Sequence, residues 1–461
     1  MTDRAALPLQ SILDCVAWVD APLDLLRIED GPDLLPTRYP LADIATGTLA
    51  AVGLAAAELG RLGSGRTQTV TVDRAAAGIG MSSAEYLRID GEIRDRWDPV
   101  TGFYPARDGR WVYLHGNFPH LRDGLLALLD AENSKESVAA AVAGWDADAL
   151  EDAGVEAGLC VSAVRTRAQW QTHPHQRAVA VLPLVEITRI GDAPARPLPD
   201  AARPLGGVRV LDCTRVIAGP MAGRTFAEHG ADVLRINGPH LPFIEALVIN
   251  TGIGKRSCFV DLRDADGVAT LEKLVADADV FFNSYRPGAL AARGFGPERL
   301  AELRPGMVSV SLDAWSRAGP FSPRRGYDSL VQAAYGLSVV GDDGRPRRLP
   351  CQPLDYLTGY LAAFGAMEAL RRRVTQGGSW HVSLSLARIA EWIFEMTDAL
   401  GFIADVPDRA PTPDELGAWM QEMESDFGQL RFLRPAISMS ETPPGWDRPP
   451  TAPGTDPAEW I

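Results

Sequence analysis

The sequence predicts an α/β fold, with a Rossmann-like parallel sheet as its larger part and a smaller α+β domain beside it. From Gly207 onward, short and continuously apolar runs alternate with helix-length segments, the pattern of parallel strands covered by helices on both faces. Just before that point, 192–206 (DAPARPLPDAARPLG) is rich in Pro and Ala and reads as a linker. Upstream, 100–125 suggests a hairpin around Asp108-Gly109 that leads into a helix, and 135–180 reads as helices with short loops. The expected organisation is therefore a helical segment 1–95, a small domain 96–191, the linker 192–206, a sheet domain 207–395 and a tail 396–461.

Within the sheet domain each element has a local reason. VRVLD (208–212) is a buried strand, and Pro220 suits the first position of a helix running to about Glu228. ADVLRI (231–236), SCFVDL (257–262), DVFFNS (279–284) and MVSVSL (307–312) continue the strands, with helices over 264–277 and 297–303 between them. The tail is rich in Pro and acidic residues and is expected to be mostly irregular, with one helix around 413–425.

An internal repeat runs across these boundaries. Segment 43–75 lies on 355–387 at a constant offset of 312 without gaps, with twelve of 33 positions identical. The matches include Asp43/Asp355, Thr46/Thr358, Gly47/Gly359, Gly53/Gly365, Gly65/Gly377 and Val70/Val382. Each copy reads as an N-cap-like Asp and Thr, an apolar helix dense in small residues, a Gly turn and an alternating strand. A mid-helix Gly costs about 1 kcal/mol relative to Ala, so Gly53 and Gly365 mark close approach of another backbone.

Composition excludes several classes. The 461 residues carry 45 Lys+Arg against 60 Asp+Glu, a net charge of −15, which argues against nucleic acid or anionic membrane as partners. With 46% hydrophobic and 23% charged residues the chain can bury a substantial core, and its length favours two or three modules. Five scattered cysteines without a C-x-x-C pair suit reduced thiols in a cytoplasmic protein. The N-terminus lacks the pattern of a signal peptide. The most apolar helical stretch, Ile44 to Ala57, reads as a packed internal helix too short to span a bilayer. A soluble, cytoplasmic protein is expected.

Most short motifs fail. CTRVIAGPMAG follows the first strand without G-x-G-x-x-G, and Gly252-Ile-Gly254-Lys255-Arg256-Ser257 lacks the first Gly of a P-loop. No G-x-S-x-G elbow exists. His173 and His175 have no third ligand at a usual metal spacing and read as a surface loop, so no metal is expected. Glu422, Glu424 and Asp426 read as a solvated face.

Five blocks in order over 205–388 do carry a signal: GVRVLDCTRVIAGPMAGRTFAEHGADVLRI (207–236), GKRSCFVDL (254–262), FNSYRPGALAARGF (282–295), GPFSPRRGYDSLVQAAYGL (319–337) and PLDYLTGYLAAFGAMEAL (353–370). They resemble the family III CoA-transferases, the group containing formyl-CoA and carnitine CoA-transferases. The resemblance implies that Asp355 is the catalytic carboxylate, first acylated to a mixed anhydride and then converted to an aspartyl-CoA thioester. It implies CoA contacts from Arg215, Val216, Ile217, Ala218, Lys255, Arg256, Ser284, Tyr285, Arg286 and Arg293. CoA and acyl-CoA are then substrates, and no tightly bound cofactor is expected.

The alternatives are an acyl-CoA racemase or isomerase, and a CoA-binding pseudo-enzyme acting as a partner subunit. Relatives that racemise carry a His base in the G-x-D block, which here is Gly326-Tyr327-Asp328, so transfer is preferred. The chain departs from the family at Asn237, where an acid usually ends the second strand, and at Ala314-Trp315-Ser316. Module order departs too, because 96–180 resembles the family's small domain yet precedes the sheet domain. A fused pair is the simplest account: a first copy without its sheet domain and a second without its small domain. Family members form interlocked dimers, so this chain is expected to be pseudo-dimeric within one polypeptide, with a homodimer as the further expectation.

Overall fold

The computed structural model describes residues 3–338 and 343–461. Helix α1 (Asp3–Cys15) is followed by strand β1 (Leu26–Glu29), helix α2 (Leu41–Ser64) and strand β2 (Val70–Asp73). An antiparallel sheet of β3 (Gly102–Pro105), β4 (Trp111–Leu114) and β5 (Val161–Ala163) comes next, then β6 (Glu186–Gly191). The second half contains β7 (Arg209–Cys213), α3 (Ala218–Glu228), β8 (Asp232–Asn237), β9 (Arg256–Phe259), β10 (Val280–Asn283) and β11 (Val308–Asp313). It continues with α4 (Asp328–Tyr335), α5 (Pro353–Gln376), β12 (Ser379–Ser385) and α6 (Leu386–Leu400), and the tail forms β13 (Met420–Ser425), β14 (Gly428–Leu433) and β15 (Ile437–Met439).

The large sheet has the order β9-β8-β7-β10-β11-β12-β6. All its pairings are parallel except β12 with β6, which is antiparallel. Read from β7, this is the 3-2-1-4-5-6 order of a doubly wound sheet with one extra edge strand. The α/β expectation therefore holds, and the linker 192–206 carries the chain from that edge strand to the centre. It is not a free spacer: Leu198 and Leu205 are buried, and a Cβ on Gly63 would lie 2.8 Å from the Pro199 carbonyl.

The two repeat segments fold alike. Helices α2 and α5 each have 24 residues, keep the offset of 312 at both ends, and pack against each other. Gly53 faces Val70 and Ile437, where an added Cβ would come within 2.5 and 3.3 Å of their methyl groups. Gly365 faces Val382 and Val185 in the same way, at 2.7 and 2.9 Å. The strands around them match as well. β2 pairs in parallel with β1 and antiparallel with β15, as β12 pairs with β11 and β6.

Four expectations need correction. The tail segment 413–425 is not a helix: β13 and β14 make a hairpin closed by Gly428, whose φ of 115° no other residue type adopts easily. Residues 135–180 are not all helical, since buried Val161–Ala163 adds a strand to β4. The Ile44–Ala57 stretch is the packed internal helix expected, with nearly all of its most apolar window buried, but the helix that holds it runs for 24 residues and is long and apolar enough to cross a membrane, so only its length needs correcting. His173 and His175 do not form an open surface loop. His173 Nδ1 accepts the His175 N–H at 3.1 Å as a helix cap, and His175 is buried among Trp170, Trp315 and Phe321.

Candidate active site

A doubly wound sheet opens a crevice where neighbouring strands send their connections to opposite faces. Here that place lies beyond the ends of β7 and β10. The Arg215 N–H donates to Ser284 Oγ at 3.0 Å, which ties the two loops together, and the Tyr285 N–H donates to Asn283 Oδ1 at 2.9 Å within the second. Val216 sits at φ 73°, a strained value for a β-branched residue, at the turn into α3.

A cleft opens there, and Arg215, Val216, Ala218, Ser284, Tyr285 and Arg286 line it. Arg325, Tyr327, Asp313 and Asp355 also line it. A smaller cavity adjoins it, sharing Val216, Tyr327 and Asp355. Its walls come from Trp97, His115, Asn117 and Phe118 near β4, and from Ile217, Asp328 and Gln352. Asp355 thus stands between a cation-lined cleft and a mainly apolar chamber.

Asp355 is 8% exposed and, among the described residues, its carboxyl has no ion-pair partner. Burial raises its pKa well above the ordinary carboxyl value, and the nearby Asp328 raises it further. Asp328, in the first turn of α4, accepts the N–H groups of Leu354 and Asp355 at 2.8 and 3.0 Å and a side-chain hydrogen bond from Gln332. Burial moves Asp328 to about 7. Asp328 therefore fixes the start of α5 and holds a second carboxyl beside the first.

Asp43, the repeat partner of Asp355, has the opposite surroundings. Arg74 Nε donates to its Oδ1 at 2.7 Å and Arg4 Nε to its Oδ2 at 2.9 Å. Both oxygens are occupied, and neither cavity reaches it.

Of the proposed CoA contacts, Arg215, Val216, Ala218, Ser284, Tyr285 and Arg286 line the cleft and Ile217 lines the chamber. Three residues belong elsewhere. Lys255 is buried behind α3, donating to Asp212 Oδ2 and the Pro220 carbonyl, both at 2.6 Å. Arg256 pairs with Asp232 and reaches the Glu459 carbonyl. Arg293 donates to the Leu262 carbonyl at 2.6 Å on the outer surface. Sequence reading passed over Arg325, Tyr327 and Asp328 as binding residues although they stand in the G-x-D block. It had no signal for Trp97, His115, Asn117 and Phe118, which only the tertiary fold brings to Asp355.

The family model for CoA-transferase family III matches residues 28–196 and 205–421. The chain belongs to that family. It is 31% identical to an acyl-CoA transferase of Gibberella moniliformis over 76% of this chain and 72% of the relative. It is also 32% identical to a succinate–glutarate CoA-transferase of Agrobacterium fabrum, over 41% of this chain and 52% of that protein. For several such curated relatives the chain spans about half of their length. A hypothetical protein from Mycobacterium tuberculosis of known crystal structure is 28% identical, with a TM-score of 0.40 over 43% of this chain and 60% of that one.

Proposed function

We propose that the chain transfers CoA from an acyl-CoA to a carboxylic acid, with Asp355 as the group that carries the acyl and then the CoA. The observation that supports this most is the position of an unpaired, buried carboxyl between a cleft carrying Arg215, Arg286 and Arg325 and a small chamber on its other side. Arginines suit the phosphates of CoA, and the chamber suits an acyl group.

In this reading an Asp355 oxygen attacks the thioester carbonyl, the C–S bond breaks, and CoA leaves as thiolate with the mixed anhydride formed. The thiolate then attacks the aspartyl carbonyl and the donor acid departs as carboxylate. The acceptor carboxylate attacks the aspartyl-CoA carbonyl, and its C–S bond breaks to give CoA thiolate and a second mixed anhydride. The thiolate attacks the acceptor's acyl carbonyl, releasing the product acyl-CoA and the Asp355 carboxylate. Gly359 brings α5 against the first turn of α3, where a Cβ on it would lie 2.5 Å from the Ala218 carbonyl, and in this reading free N–H groups of that turn would face the developing oxyanion. Such donors stabilise an oxyanion.

An isomerase reading has one supporting feature, His115 in the chamber wall. Burial, with the Arg348 charge adding to it, lowers its pKa to about 3, and its ring stacks on Tyr327 at 4.1 Å. A general base works best with a pKa near the working pH, so His115 is a poor one and transfer is favoured. The two repeat copies, with Asp43 ion-paired and Asp355 unpaired, support the further reading of a fused pair with one working site in each chain.

Incubation with acyl-CoA donors and hydroxylamine tests the assignment. Mass spectrometry is expected to find Asp355 as the modified residue, and Asp355→Ala should abolish exchange while retaining CoA binding. Full exchange by Asp355→Ala would overturn it.

A further inference from the structure

Lys255 is 2% exposed and lies behind α3, yet it is bonded to both ends of a segment that lines the cleft. Its Nζ donates to Asp212 Oδ2 and to the Pro220 carbonyl, both at 2.6 Å. Burial lowers its pKa to about 8 against the pull of Asp212, so it is charged at neutral pH. Asp212, fully buried near the end of β7, accepts the Thr214 N–H on its other oxygen at 3.2 Å, and the Thr214 hydroxyl as well. One ammonium therefore ties Asp212 and Thr214 to the first turn of α3.

Room for this pair is built into α3. A Cβ on Gly223 would lie 2.7 Å from Asp212 Oδ2 and 2.9 Å from Lys255 Nζ, and one on Gly219 would overlap the Thr214 side chain. Between the tied ends run Arg215, Val216, Ile217 and Ala218, which line the cleft and the chamber. Val216 holds φ 73°, a conformation that persists only where its surroundings over-determine it. Desolvation offsets most of the Coulomb gain of a buried ion pair, so the geometry it fixes explains this one better than any stability it adds.

We propose that Lys255 is a positioning residue for CoA transfer: by joining Asp212 to the Pro220 carbonyl it sets the Val216 turn, and with it the wall that Arg215 and Ala218 present to CoA. It touches no substrate. This rests on the reading of the cleft as the CoA site beside Asp355.

The test measures the affinity for free CoA by titration calorimetry, the rate of adduct formation at Asp355 from acyl-CoA, and the melting temperature. Asp212→Asn/Lys255→Met removes both charges together and is expected to melt within a few degrees of wild type. It should nonetheless bind CoA about tenfold more weakly or worse, and form the adduct more slowly by a similar factor, because the turn is misplaced. Gly223→Ala keeps both charges and raises helix propensity while pressing a Cβ against the pair, and it should weaken CoA binding in the same direction. Wild-type CoA affinity and adduct rate in the double variant overturn the proposal, as they do in Gly223→Ala should the double variant not fold. A wild type that binds CoA but forms no adduct overturns the reading of Asp355 instead, and the affinity comparison still decides the role of Lys255.

Discussion

Asp355 and Asp43 stand at the same place in two copies of one helix, and their partners give them opposite electrostatics. Asp43 is held by two arginines. Replacing it leaves Arg74 with Asp33 and the Gly31 carbonyl, so Asp43→Asn is predicted to cost about 1–3 kcal/mol, read in denaturant melts. Among the described residues Asp355 has no ion-pair partner, and its raised pKa means the native state holds a proton that the unfolded chain releases above about 3.8. Stability then falls, relative to Asp355→Asn, as pH rises from that value through the native pKa. Asp355→Asn should therefore melt a few degrees higher than wild type at pH 8 and show a smaller difference at pH 4, while being inactive. Attack needs the ionised form, so adduct formation is predicted to rise with pH across the same window. A flat pH profile would count against the Asp328–Asp355 pair as the controlling feature.

Contact between α3 and α5 depends on what Gly359 lacks. An alanine there would place its Cβ 2.5 Å from the Ala218 carbonyl and 2.8 Å from Met221 Cβ. Backbone has to move, so Gly359→Ala is predicted to cost about 1–3 kcal/mol despite its better helix propensity. It should also slow adduct formation, because the first turn of α3 flanks Asp355. Gly53→Ala meets a similar clash with Val70 in the other copy and should destabilise without a comparable loss in rate. The strands of 207–388 and most of its helices were legible because each carries its own periodicity and the motif blocks run in order, whereas the helix over 245–252 and α4 were not read. β13 and β14 were not, since Met420–Ser425 shows little hydrophobic pattern until Gly428 turns it back on β14. Lys255 entered as a ligand through the resemblance alone, and its partner here, Asp212, lies inside an apolar strand whose side-chain direction the sequence does not fix.

Over the whole chain, residues far apart in sequence meet at Asp355: Trp97, His115 and Phe118 from near β4, Val216 and Ile217 from the switch point, Asp328 and Gln352 from the last third. None of the first group could be assigned from the sequence, because the resemblance placed 96–180 only as a domain out of order. The fold supplies both walls of the site from one polypeptide. Asp43, with both oxygens bonded to arginine, should not be acylated, so the fused-pair account predicts one trapped acyl or CoA equivalent per chain. The most direct measurement is digestion and mass spectrometry of the protein after incubation with acyl-CoA and hydroxylamine. The account predicts a single modified peptide containing Asp355 at no more than one equivalent per chain. Modification at Asp43, or sustained CoA exchange with no adduct at Asp355, would contradict it.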